Sequence, residues 1–152
     1  MKILMVCIGN ICRSPMAEYI LKNKIKHKQL NWHIASAGVE NYHIGEGAYP
    51  IALKVAASYN IDMQSHRASH FTQNDFDKYD KIYAFADDVY HRIIAQIRNE
   101  KDKLKVDYFL NEANPSSNAS VTDPWYHDED MYHAVFQQID EVCDIILEKY
   151  KD

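Results

Sequence analysis

The stretch Ile3-Leu4-Met5-Val6-Cys7-Ile8-Gly9-Asn10-Ile11-Cys12-Arg13-Ser14-Pro15 constrains this chain more than any other. A short apolar run closed by Gly9 and Asn10 reads as a strand buried on both faces. Ser14 followed by Pro15 reads as a helix start, with Ser14 as N-cap and Pro15 at the first helical position, where its missing N–H costs nothing. Cys7 then stands at the C-terminal end of a buried strand. A loop follows it, and a helix N-terminus points back at that loop. Free backbone N–H groups and the positive end of a helix dipole make such a place an anion site. The same partial charges favour the anionic form of a cysteine sulfur.

The rest of the chain alternates strands and helices. Met16, Ala17, Ile20, Leu21 and Ile25 fall at helical spacing, and this helix ends among Lys24, Lys26 and Lys28, a solvated face that suits a negative C-terminal dipole. Residues 32–37 predict a second strand closed by Gly38, and residues 39–47 a loop. A helix is expected over 48–60 with Asn60 as its C-cap, then an irregular stretch to residue 79 with one helical turn near 74–78. Residues 81–86 predict a third strand and 105–110 a fourth, with a helix between them running from Asp87 or Asp88 to Ile97. Residues 111–126 read as a loop, and 130–150 as a long amphipathic helix. The pattern predicts one domain over 1–152 of the α/β class. It is a three-layer arrangement, a four-stranded parallel sheet flanked by helices on both faces. In such sheets ligands bind beyond the carboxyl ends of the strands, where Cys7 lies.

Composition narrows the function classes. A net charge of −5 argues against a general nucleic-acid binder, which needs a basic footprint. No segment approaches the ~20 apolar residues that span a bilayer, and the N-terminal apolar run is too short for a signal peptide. Three cysteines without a repeating framework suit free thiols in a reducing compartment. The expectation is a cytoplasmic protein with neither nucleic-acid nor membrane partners.

The spacing Cys7-x₅-Arg13 suits closure of the loop into a cup. The loop N–H groups converge above the sulfur, and the planar fork of Arg13 matches two oxygens of a phosphate. Asn10 tolerates the left-handed region and can hydrogen-bond across the loop. Ser14 can cap the helix and also direct its hydroxyl at Cys7. A nucleophile, a cation and N–H donors in one loop suggest attack on phosphorus, although a cysteine at a strand end can equally be a small buried hydrophobe. Such chemistry needs an acid for the departing oxygen, and the candidate is Asp123 in Thr122-Asp123-Pro124-Trp125-Tyr126, where a plain Asp-Pro turn is the competing reading. His66 and His70 are four apart without a Glu between them, so no metal or cofactor is expected; Gly45-Glu46-Gly47 is only a fragment of a dinucleotide motif. Cys12 could form a reversible disulfide with Cys7, and Cys143 reads as core.

Residues 6–18 closely resemble the low-molecular-weight protein tyrosine phosphatases. Ser36-Ala37-Gly38, residues 43–48, His66-Arg67-Ala68 and Asp123-Pro124 extend the resemblance over the full chain. It implies hydrolysis of phosphotyrosine monoesters on proteins through a phosphocysteine, without metal or cofactor, and inhibition by inorganic phosphate or other oxyanions. By the matching positions, Cys7 would attack, Arg13 would hold the equatorial oxygens, and Asp123 would serve as acid and then base. Ile8, Gly9, Asn10, Ile11, Cys12 and Ser14 would complete the phosphate-binding loop. Asn10, Ser36 and His66 would support it, and Ile8, Tyr42, Trp125 and Tyr126 would border the substrate slot.

The sequence departs from the family pattern at three places. Trp125 replaces a Tyr. Phe85-Ala86 replaces Met-Asp, with Asp87 one residue later, so a supporting carboxylate is missing or differently supplied. Tyr49 replaces an Asp near the second helix start, with an effect expected only on that cap. Protein-arginine phosphatases of the same fold tend to carry Thr where Ile11 stands. Arsenate reductases of this fold need further cysteines, and none lies between Cys12 and Cys143. A non-catalytic phosphate-docking module is the alternative from another class.

Overall fold

The computed structural model describes residues 1–152. Four parallel strands, β1 (Lys2–Cys7), β2 (His33–Gly38), β3 (Lys81–Ala84) and β4 (Val106–Tyr108), form one sheet in the order β2-β1-β3-β4. The chain steps from β1 to one neighbour, then returns past it to β3. The order reverses at β1, which places the crevice for a ligand at the carboxyl end of that strand.

The continuous apolar run of β1 follows from this central place. Ile3, Met5 and Cys7 face one apolar cluster while Leu4 and Val6 face another, so both sides of the strand are covered. The first cluster lies under α1 (Arg13–His27), α2 (Pro50–Ser58) and α6 (Glu129–Tyr150). The second lies under α3 (Asp75–Lys78) and α4 (Asp87–Ile94), through Phe76, Val89 and Ile93. This is the expected three-layer parallel α/β fold. No helix is long and apolar enough to cross a membrane.

The helix ends follow local chemistry. Tyr59, not Asn60, is the C-cap of α2; Asn60 follows it in the left-handed region at φ 64°, with Ile61 N–H bonding Ala56 C=O at 3.0 Å and Asn60 N–H bonding Ala57 C=O at 2.9 Å. The same motif ends α1 at Gln29, φ 56°. Other expectations shift as well. The third ladder ends at Ala84 and the fourth covers only Val106–Tyr108, followed by a 3₁₀ turn over Phe109–Glu112. A short helix, α5 (Glu100–Leu104), was not evident from periodicity; Asn99 caps it by accepting from Asp102 N–H at 2.9 Å. Finally, α1 begins at Arg13 with Cys12 as its uncapped N-cap, so Ser14 and Pro15 lie inside the first turn. Pro15 is still costless there, because the first bond of the helix runs from Met16 N–H to Cys12 C=O. Ser14 is thereby released from capping.

Candidate active site

The released hydroxyl of Ser14 lies 2.9 Å from Cys7 Sγ. Asn10 Nδ2 donates to the same oxygen at 2.8 Å. An amide nitrogen can only donate, so the Ser14 hydroxyl hydrogen is left for the sulfur. Asn10 N–H also donates to Sγ, at 3.3 Å. The N–H groups of Ile8, Gly9, Ile11, Cys12, Arg13 and Ser14 donate to no group of the protein. The strand end, the loop and the first turn of α1 therefore form a nest of unpaired donors around one sulfur.

Asn10 holds this nest in place. It is fully buried with φ 59°, a backbone region that Asn tolerates. Its Oδ1 accepts from Ser69 N–H at 2.9 Å, and its C=O pairs with His66 Nε2 at 2.8 Å. A carbonyl only accepts, so Nε2 carries the proton. Burial pushes the His66 pKa down, which favours the neutral ring, and the bond to the Asn10 C=O sets its tautomer. Ser36 makes no hydrogen bond to the loop itself. Its hydroxyl donates to Glu18 Oε1 at 2.5 Å, and Glu18 also pairs with Lys22 and lies 4.0 Å from His66 Nδ1. Gly38, at the end of β2, allows the loop to pack close. A Cβ there would lie 2.7 Å from Ile8 C=O.

A cleft of about 260 Å³ opens over Cys7. Ile8, Gly9, Asn10, Ile11, Cys12 and Arg13 form its floor, and Tyr42, His43, Asp123, Trp125 and Tyr126 its walls. Every cleft residue expected from the sequence is brought together here, from three separate loops, while Ser14, Ser36 and His66 stand behind the floor. Arg13 donates from Nη1 to Val121 C=O at 3.0 Å, and its Nη2 lies 3.6 Å from Asp123 Oδ2. Asp123 Oδ1 accepts from Trp125 N–H at 3.1 Å, so the Asp-Pro turn and the cleft carboxylate are one structure. Cys12 Sγ lies 4.0 Å from the Tyr132 hydroxyl, and burial, with Cys7 adding to it, pushes its thiol up to about 12.

The family model described as low molecular weight phosphotyrosine protein phosphatase matches residues 2–152. The chain belongs to this family. A low molecular weight phosphotyrosine protein phosphatase of Sus scrofa is 29% identical, over 98% of this chain and 95% of the relative. The crystal structure of a protein tyrosine phosphatase from Entamoeba histolytica, with Hepes in its active site, superposes with a TM-score of 0.91 at 29% identity, over 99% of this chain and 97% of that one. The YwlE arginine phosphatase, as a Cys-to-Ser mutant whose active-site serine is phosphorylated, also gives 0.91, at 27% identity over 100% and 97% of the two chains.

Within this phosphatase, two departures from the family pattern resolve structurally. The carboxylate that Ala86 cannot supply is not replaced by Asp87, which accepts from the Tyr108 hydroxyl at 2.5 Å. The buried carboxylate of the loop network is that of Glu18. In the sequence Glu18 falls with Lys22 and Lys26 on the side of α1 away from the apolar positions, and the structure buries it instead. Tyr49 does more than alter a helix cap. Its ring packs on Trp125 with centroids 4.4 Å apart, which backs the cleft wall. The resemblance marked residues 43–48 as a pocket loop without giving His43 a role, and the structure puts His43 in the cleft wall; Tyr132 beneath Cys12 had no signal in the sequence.

Proposed function

We propose that this phosphatase hydrolyses phosphotyrosine on proteins in two steps through a phosphocysteine. The observation that carries the reading is Cys7 Sγ, receiving two hydrogen bonds at the base of a loop whose other N–H groups are free. Those N–H groups and the guanidinium of Arg13 take the equatorial oxygens of the phosphoryl group, where charge is spread in the transition state. The sulfur attacks phosphorus, the P–O bond to the ring breaks, and Asp123 gives its proton to the departing oxygen. Asp123 then takes a proton from the water that attacks the phosphocysteine. As the S–P bond breaks, the sulfur keeps the electron pair, and the Ser14 hydroxyl and Asn10 N–H receive its charge. Arg13 and the loop supply the positive potential, so the reading calls for no metal or cofactor. Inorganic phosphate and other oxyanions compete for the same nest.

The walls support an aryl substrate. Ile8, Ile11, Tyr42 and Trp125 offer apolar and aromatic surface to a flat ring. The likeness to the YwlE arginine phosphatase supports a second reading, phosphoarginine. Its guanidinium brings several N–H donors, and the side chain of Ile11 in the cleft floor has no acceptor to offer them.

The test is turnover of phosphotyrosine and phosphoarginine peptides side by side. Faster turnover of phosphoarginine overturns the choice of substrate. Cys7→Ser should abolish turnover of every phosphomonoester, and activity that survives it overturns the mechanism. Asp123→Ala should lower kcat by about 10²–10⁴-fold with little change in KM. A docking module would instead bind phosphopeptide with no turnover in the unaltered protein.

A further inference from the structure

His43 lines the cleft, yet the two-step chemistry gives it nothing to do. Its ring edge lies over Gly9; a Cβ on Gly9 would meet His43 Cδ2 at 2.8 Å and Nε2 at 3.6 Å. The ring is held on its other sides by Tyr42, with centroids 4.6 Å apart, and by Trp125 at 6.2 Å. Nδ1 pairs with Glu46 Oε2 at 2.8 Å. With the proton on Nδ1, toward the carboxylate, Nε2 of the neutral ring is an acceptor, and it makes no hydrogen bond within the protein. Glu46 Oε1 is likewise unpaired, on a side chain that is 56% exposed. The loop that carries both residues is pinned to the body of the protein. Gly45 N–H donates to Ala68 C=O at 2.9 Å, and Ala68 N–H to Glu46 C=O at 2.8 Å.

The same mouth carries two exposed rings, Tyr42 and Tyr126, the latter 89% exposed. Two basic side chains lie nearby. Arg92 is bonded to Glu40 at 2.6 Å, and Arg67, beside Gly47, donates to the carbonyls of Gln64 and His66. Two acceptors without a partner in the protein and two exposed aromatic faces suit a cationic hydrogen-bond donor.

We propose that His43 and Glu46 form a specificity-determining subsite that selects phosphotyrosine segments with a lysine or arginine next to the phosphotyrosine. The proposal rests on the phosphotyrosine reading above. The ring in the slot carries its neighbouring residue past the mouth, where a guanidinium or ammonium meets Glu46 Oε1, His43 Nε2 and the faces of Tyr42 and Tyr126.

The experiment compares kcat/KM for two phosphotyrosine peptides, identical except for arginine or glutamate flanking the phosphotyrosine, in the unaltered enzyme, Glu46→Gln and Glu46→Lys. Specificity is read as the ratio within each enzyme, so a general loss from loop disturbance cancels. The unaltered enzyme should prefer the arginine peptide by about fivefold, the upper end for one exposed charge pair. The preference should shrink in Glu46→Gln, reverse in Glu46→Lys and fade in 1 M salt. A ratio near one in the unaltered enzyme, or a ratio unmoved by Glu46→Lys, overturns the subsite. 4-Nitrophenyl phosphate separates this from failure of the underlying reading: if it is turned over while neither phosphotyrosine peptide is, the phosphotyrosine reading falls and the subsite with it.

Discussion

Removal of the Ser14 hydroxyl tests the centre of the site, because that one group faces two ways. It gives its hydrogen to Cys7 Sγ at 2.9 Å and accepts from Asn10 Nδ2 at 2.8 Å. In Ser14→Ala only the Asn10 N–H, at 3.3 Å, remains on the sulfur. A hydrogen bond to a charged group contributes about 1.5–3 kcal/mol. A barrier raised by that much slows the step about 10–150-fold. The loss falls on the second step, since there the sulfur departs with a full negative charge. Stopped-flow turnover of 4-nitrophenyl phosphate should therefore show a burst of nitrophenolate followed by a steady rate lowered by that factor, with KM unchanged or lower. The other face of the hydroxyl predicts a separate effect. The buried Asn10 amide loses an acceptor at about 1–3 kcal/mol, so Tm should fall by roughly 2–4 °C for each kcal/mol. Ser14→Thr, which keeps the hydroxyl, should restore most of both. The reasoning is refuted if Ser14→Ala keeps kcat within about threefold of the unaltered enzyme, or if stability falls without any change in rate.

Burial holds the Cys12 thiol up at about 12, so at neutral pH iodoacetate should label Cys7 and leave Cys12 unmodified, with phosphate protecting Cys7; peptide mapping checks this. Burial holds His66 neutral in the folded state, while the unfolded chain protonates near ~6.5. This contribution is therefore complete above that pH and is lost as pH falls below it, so urea midpoints at pH 7.5 and 5.5 should differ more in the unaltered protein than in His66→Gln. Gln29 occupies the left-handed region at the end of α1, so Gln29→Gly should stabilise by about 0.5–1 kcal/mol and raise Tm by roughly 1–4 °C. A lower Tm would show that the backbone penalty at Gln29 has been misjudged.

Much of the fold was legible because its signals are local. The run Ile3–Val6 marked a strand covered on both faces, and the structure divides those residues between two apolar clusters. Asn60 marked a helix end because few other side chains tolerate its backbone angle. Ser14 was misplaced for the same local reason. Ser-Pro is a strong start signal, but the cup draws the first helical turn back to Arg13 and turns the hydroxyl to Cys7. The α5 helix escaped notice since a five-residue segment carries no period; its Asn99 cap was the available sign.

By itself the sequence determined the composition of the floor. Residues 7–14 are contiguous, so the strand end, the loop and the helix dipole assemble from one stretch of chain. The walls and supports depended on long-range packing. Glu18 reads as one more helix charge until β2 brings Ser36 to it. Tyr49 reads as a lost cap until the loop after β4 lays Trp125 against its ring. His43 lies in a loop that the resemblance marked, but its place on the cleft wall is decided only when that loop is pinned to Ala68 and set over Gly9. Contacts between residues tens of positions apart leave no periodicity or spacing in a single sequence, and only the folded sheet with its crevice decides them.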